Sequence, residues 1–175
     1  MAILKIARMG HPVLRQKAEP VDDPTSPELL HLVGDMMETL QDIGGAGLAA
    51  PQVHQPKRLV MFHVPPGRGD EETVPFTVIV NPVIEPLGEE TAEDWEGCLS
   101  VPGLRGLVRR PARIRYHGYG VDGQRIEREA NGFHARVVQH ECDHLDGILY
   151  PQRMTDLTKL IFETEFRFHV ERTEP

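Results

Sequence analysis

The sequence predicts an α+β fold: antiparallel strands packed around a central metal-binding helix, with an N-terminal helix and a C-terminal helix. Three observations predict it. An apolar stripe at helical spacing lies near the start, strand-like segments fill the middle, and a histidine-bearing helix follows them.

The first helix is read from "TSPELLHLVGDMMETLQDIGG". Ser26 can cap it, Pro27 suits the first helical position and Gly44-Gly45 can end it. Leu29, Val33, Met36, Met37 and Leu40 form one buried face. The segments 58–64 and 76–84 are rich in β-branched and aromatic residues, as strands are. Between them "PPGRGDEE" is a polar surface loop. "LVRRPARIRYHGYG" and "GQRIEREA" alternate apolar with charged residues, and Gly120 to Gly123 can turn one strand into the next. A second helix runs from about Phe133 to Leu145, with Gly147 placed to terminate it. The third is expected from Thr155, with Leu157, Leu160, Ile161, Thr164 and Phe168 at helical spacing.

At 175 residues the chain fits one domain, 1–175, with a core that needs no covalent staples. A net charge of −8 argues against general nucleic-acid binding, which needs a basic face. No apolar run approaches the ~20 residues of a membrane span. "MAILKIARMG" lacks the apolar stretch of a signal peptide, and two cysteines offer no disulfide framework. A reducing cytoplasm is the expected compartment.

Chemistry concentrates in "HECDHLDGILY", from His140 to Tyr150. His140, Glu141 and His144 fit the H-E-x-x-H helix, in which two histidines grip an ion and the glutamate serves as a base. The longer version of that motif has a third histidine where this chain has Tyr150. Three residues compete to complete the site. Glu163 lies on the next expected helix, among other solvated glutamates. Cys142 sits about 200° round the helix from His140 and faces away, as a small core residue would. Cys98, in "EGCLSVPG", joins two imidazoles to give three ligands and one open position, the pattern of a catalytic site. Cys98 is the expected third ligand.

"GAGLAAPQ" (Gly45 to Gln52), "EGCLS" and "QHECDH", in that order, closely resemble the G-x-G-x-A-A-x-Q, E-G-C-L-S and Q-H-E-x-D-H motifs of the peptide deformylase family. The resemblance extends from "GHPVLRQKAEPV" through "DHLDGILYPQRM". It implies a hydrolase that removes the N-formyl group from the initiator methionine of nascent bacterial proteins and releases formate, an N-terminal processing step of protein biosynthesis. It also implies one divalent metal per chain, Fe²⁺ in the cell, with a poorer zinc enzyme. The Cys-His-His set itself suits zinc, iron, cobalt or nickel.

By the same resemblance Cys98, His140 and His144 hold the metal, whose charge makes hydroxide available near neutrality. Glu141 takes the water's proton and returns it to the amine. The Gln52 amide and the Leu99 backbone N–H stabilise the oxyanion. Gly45, Ala46 and Gly47 lie along the extended substrate, where bare backbone allows close approach. Phe133 and Val137, with the ring of His140, line the methionine pocket, Ala46 and Glu96 edge it, and Gly97 and Arg105 lie near the bound peptide. Arg136 stands where some members carry an aliphatic pocket residue. Some members dock on the ribosome through a basic C-terminal helix. Here residues 155–175 carry three Lys/Arg against five Asp/Glu, so charge does not support such docking.

Two other readings compete. One is a metallopeptidase with Glu163 as third ligand; the other is a binding module with a structural zinc held by both cysteines. Neither needs an amide donor facing the ion, so Gln52 and the glycine stretch weigh against both.

Overall fold

The structure is a computed structural model that describes residues 2–67 and 73–170. Helix α1 spans Pro27–Ile43. Ser26 Oγ accepts the Leu29 N–H at 3.4 Å, and Gly44, at φ 74°, donates its N–H to the Leu40 carbonyl. Leu29, Val33, Met36 and Leu40 are buried against Leu48, Leu59, Met61 and Val80. Each such side chain contributes roughly 1.5–3 kcal/mol relative to exposure.

Five antiparallel strands form the larger sheet, in the order β1 (Gly47–Ala49), β2 (Leu59–Val64), β3 (Val74–Pro86), β6 (Arg113–Tyr119), β7 (Arg125–Asn131). The expected strands over 58–64 and 76–84 are β2 and β3, paired with Val60 opposite Ile79. Part of the loop expected between them, residues 68–72, lies outside the described residues. Within β3 the register shifts between Val80 and Val83. Asn81 there takes φ 53°, a conformation asparagine tolerates, and exchanges two hydrogen bonds with the Val21 backbone.

A second sheet joins β4 (Thr91–Cys98), β5 (Val101–Pro111) and β8 (Leu160–Phe162). Between the two sheets runs α2, Gly132–Leu145. Every residue of it from His134 to Leu145 is buried, so its apolar positions serve the core and its polar ones must find partners. Val138, Cys142 and Leu145 pack with Phe62, Ile79 and Tyr116 of the larger sheet. The helix ends where Arg58 Nη1 reaches the Leu145 carbonyl and Asp146 Oδ1 at 2.8 Å. Gly147 follows at φ 71°, and a Cβ there would lie 2.8 Å from the Arg15 backbone.

The expected C-terminal helix from Thr155 is corrected. Residues 157–159 form a 3-10 turn, 160–162 are strand β8, and 163–165 form another 3-10 turn. A helix, α3, covers only Arg167–Val170. The Asp156 carboxylate accepts the Thr158 N–H and hydroxyl, a local turn that competes with a helical start. Leu157 and Phe168, at the two ends of the expected stripe, are 66% and 51% exposed, while Leu160 packs on the core of the smaller sheet, so the stripe buries no continuous face. The edge of β5 instead takes Leu160–Phe162 as a strand, with Arg105 opposite Ile161. No helix among the described residues is long and apolar enough to cross a membrane.

Candidate metal centre

Two elements meet at the centre. Cys98 ends β4 at a register shift after Gly97, and α2 brings His140 and His144 to it one turn apart. The ligand atoms of the three lie within 4.8 Å of one another. Cys98 Sγ is 3.3 Å from His144 Nε2. His140 Nδ1 is engaged by Glu96 Oε2 at 2.8 Å, so its other ring nitrogen is free to turn to the thiol.

Burial opposes ionising the Cys98 thiol, but His144 and His140 overcome that and hold it well below the ordinary thiol range. Burial likewise opposes charge on His140, yet its bonds to Cys98 and Glu96 raise it well above the ordinary imidazole range. A thiolate with two imidazoles, buried and within mutual reach, fits a divalent ion of borderline softness. Uptake of such an ion would release the imidazole proton.

Glu96 is 5% exposed and belongs to a buried charge network. Arg110 donates to both its oxygens, at 2.6 and 2.9 Å, and Arg136 Nη1 donates at 2.7 Å. Burial opposes its charge, but Arg110 and His140 hold its carboxyl well below the usual range. Expected at the edge of the methionine pocket, Glu96 holds the His140 ring, the position a carboxylate typically takes behind a metal-binding histidine. Arg136 carries its remaining bonds to the Val108 and Ala92 carbonyls. Asp143, one turn after His140, accepts from Arg110 at 2.8 Å and from Arg153 at 2.6 Å. Tyr150, in place of a third histidine, stacks on the His140 ring at a centroid distance of 6.2 Å.

A cavity of about 1220 Å³ opens onto the centre. Among its lining residues are Gly45, Ala46, Gly47, Gln52, Glu96, Gly97, Cys98, Leu99, Arg105, Phe133, Arg136, Val137, His140 and Glu141. His144 reaches the centre from behind, 1% exposed. Gln52 is held by its own carbonyl: Oε1 accepts the Ala49 N–H at 2.8 Å, so Nε2 points at Cys98 Sγ (3.6 Å) and Ser100 Oγ (3.2 Å). Burial pushes the Glu141 carboxyl up to about 7, against the pull of His140 and His144. Among the described residues its Oε2 has no hydrogen-bond partner. A Cβ on Gly47 would sit 2.7 Å from the Glu141 carboxyl carbon, so this glycine makes room for the carboxylate.

Neither of the other two ligand candidates joins the Cys98, His140, His144 group. Cys142 is buried in the helix–sheet core, where burial raises its thiol pKa. Glu163 pairs with Arg105 at 2.6 Å. Arg110, Asp143 and Ser100 were not singled out from the sequence. Ser100 and Asp143 stand at motif positions in "EGCLS" and "QHECDH", and Asp143 lies one turn beyond His140 on the same helix; Arg110 carries no such signal.

The sequence model of the polypeptide deformylase family matches residues 3–160. This chain belongs to the peptide deformylase family. It is 57% identical over 156 residues to peptide deformylase 1 of Bordetella pertussis, covering 88% of this chain and 89% of that one. Peptide deformylase 1 of Nitrosomonas europaea is 54% identical over 159 residues, 90% of each chain. Among solved structures, the Ehrlichia chaffeensis peptide deformylase superposes with a TM-score of 0.83 at 31% identity, covering 97% of this chain and 94% of that one. A class I type b peptide deformylase from Acinetobacter baumannii, bound to Met-Ala-Ser, gives 0.81 at 37% identity, covering 87% of this chain and 98% of that one. Membership of the peptide deformylase family makes the chain a metal-dependent hydrolase, and Cys98, His140 and His144 form a group that could hold a metal ion.

Proposed function

We propose that this enzyme removes the formyl group from the N-terminal methionine of newly synthesised proteins and releases formate. One observation carries the reading: a Glu141 carboxyl oxygen without a hydrogen-bond partner among the described residues and the Gln52 amide converge on the Cys98, His140, His144 set inside one cavity.

Cys98, His140 and His144 would hold a divalent ion, iron(II) by our assignment and zinc, nickel or cobalt as substitutes, which would supply Lewis-acid chemistry that lowers the pKa of water and polarises a carbonyl. Glu141 takes a proton from the attacking water, and burial, which opposes charge on its carboxyl, strengthens it as a base. Oxygen bonds to the formyl carbon, whose carbonyl oxygen gains charge. The Gln52 Nε2–H and the Leu99 backbone N–H donate to that oxygen. As the C–N bond breaks, Glu141 returns its proton to the leaving nitrogen, giving a free amine and formate. Phe133 and Val137 receive the methionine side chain, with Ala46 at the pocket edge. Gly45 to Gly47, beside Gly97 and Arg105, hold the peptide backbone as an added strand. Protein synthesis supplies such substrates in the cytoplasm, the compartment we assign.

Formate release from matched formyl- and acetyl-methionyl peptides, measured anaerobically, tests the reading. A methyl discriminated by binding alone gives ~10–200-fold. Here the extra methyl sits on the attacked carbon and disturbs near-attack geometry, so the acetyl peptide should be slower by more than that. Acetyl turnover within about tenfold of formyl, on that same scale, would overturn the assignment.

A further inference from the structure

Arg105 and Glu163 both line the cavity that holds the metal ligands. In the β4–β5 ladder Arg105 lies opposite Gly97, the neighbour of Cys98. Its Nε and Nη2 both donate to Glu163 Oε1, at 3.0 and 2.6 Å. The Glu163 carboxylate therefore answers the guanidinium on the very wall along which a peptide would lie. Three further holds fix the segment that carries it. β8 pairs with β5 through Arg105 and Ile161, the guanidinium sits 5.1 Å from the Phe166 ring centre, and Phe166 packs edge-on against Trp95 at 5.3 Å. Neutralising Glu163 should leave these in place.

We propose that Glu163 sets the charge preference of the cleft: by neutralising Arg105 it keeps the enzyme from favouring peptides with a carboxylate in the residues after the methionine. The inference rests on the deformylase reading. An unpaired guanidinium on such a wall is a ready partner for a carboxylate, which its planar fork binds in two-pronged fashion. Paired, it presents little net charge, and chains of any downstream composition are accepted alike.

The test compares formyl-Met-Ala-Ser as free acid and as C-terminal amide, two peptides that differ by one negative charge. In Glu163→Gln the acid-to-amide ratio of kcat/KM should rise about three- to fivefold at low salt, the range of a partly exposed ion pair. The rise should come through KM and shrink as salt is added. It should vanish when Arg105→Gln is combined with Glu163→Gln. Glu163→Ala, a second variant, should move the ratio the same way. Calorimetric binding of Met-Ala-Ser and its amide reads the same ratio without turnover. A ratio equal to wild type overturns the proposal, as does a rise that persists without Arg105. An equal loss on both peptides would reduce Glu163 to a structural tether and also overturn it. Wild-type enzyme that deformylates neither peptide would sink the deformylase reading instead, while the binding ratio still judges the charge claim.

Discussion

The chain's two cysteines lie in regions with opposite demands. Cys98 closes β4 at the cleft, among His140, His144 and the Gln52 amide, where neighbouring positive charge draws its proton away. Cys142 lies two residues past His140 on α2, on the side that meets Phe62 and Tyr116, where burial makes its proton harder to lose. One thiol sits in a group that could hold a metal ion and the other is a small apolar filler. The cleft contributes reactivity with polar groups that the fold must support, whereas the helix–sheet interface contributes stability and needs no chemistry. Substitutions in the cleft should therefore remove function with the fold intact, and substitutions in the core should do the reverse.

Cys98→Ala draws the sharpest line. It should lose tightly bound metal and with it essentially all turnover, while Cys142→Ala and Glu163→Ala retain near-stoichiometric metal by elemental analysis. Full metal in Cys98→Ala would erase the distinction between the two thiols. Next in size is Glu141→Ala, which should keep metal and fold but lose about 10²–10⁴ in rate, the usual contribution of a general acid–base group. A near-normal rate would remove Glu141 from the proton transfers. Gln52→Leu should lower kcat by about 10²–10³, the scale for one oxyanion donor, with less effect on KM. An unchanged kcat with a raised KM would make Gln52 a binding residue alone. The smallest effect belongs to the core: Cys142→Ala should cost about 1 kcal/mol of stability, comparable to trimming a buried methyl-sized group, with kcat/KM unchanged. Lost activity in a stable Cys142→Ala protein would show that the two regions are not separable.

Where one face is buried and the other is not, the pattern was legible. Ser26, Pro27 and Gly44 bounded α1, and the apolar spacing named its buried face. The two histidines one turn apart, with Cys98 as the third ligand candidate, gave the group that the fold assembles. β4 was harder to read. Its first four residues are exposed and Glu96 is its one fully buried position, so no apolar alternation marks it. The buried side of that strand is defined by charge, through Arg110 and Arg136, which arrive from β5 and α2. Sequence spacing carries no record of such long-range partners. The C-terminal segment failed for a related reason. Leu157, Leu160 and Ile161 satisfy a helical period, but the free edge of β5 offered that backbone a ladder, and tertiary pairing overrode periodicity.

The larger sheet ends in β1 on one side and β7 on the other. Unpaired strand edges are templates for aggregation, and these two are guarded by different means. β7 carries Arg125, Glu127, Arg128 and Glu129, a row of charge that a stray strand would have to desolvate. β1 has no charge at all, and at Gly47 any side chain would collide with the Glu141 carboxyl. Its protection is brevity: three residues, two of them fully buried, give an invading sheet too short a ladder to propagate. Such an edge is too small to seed a fibre.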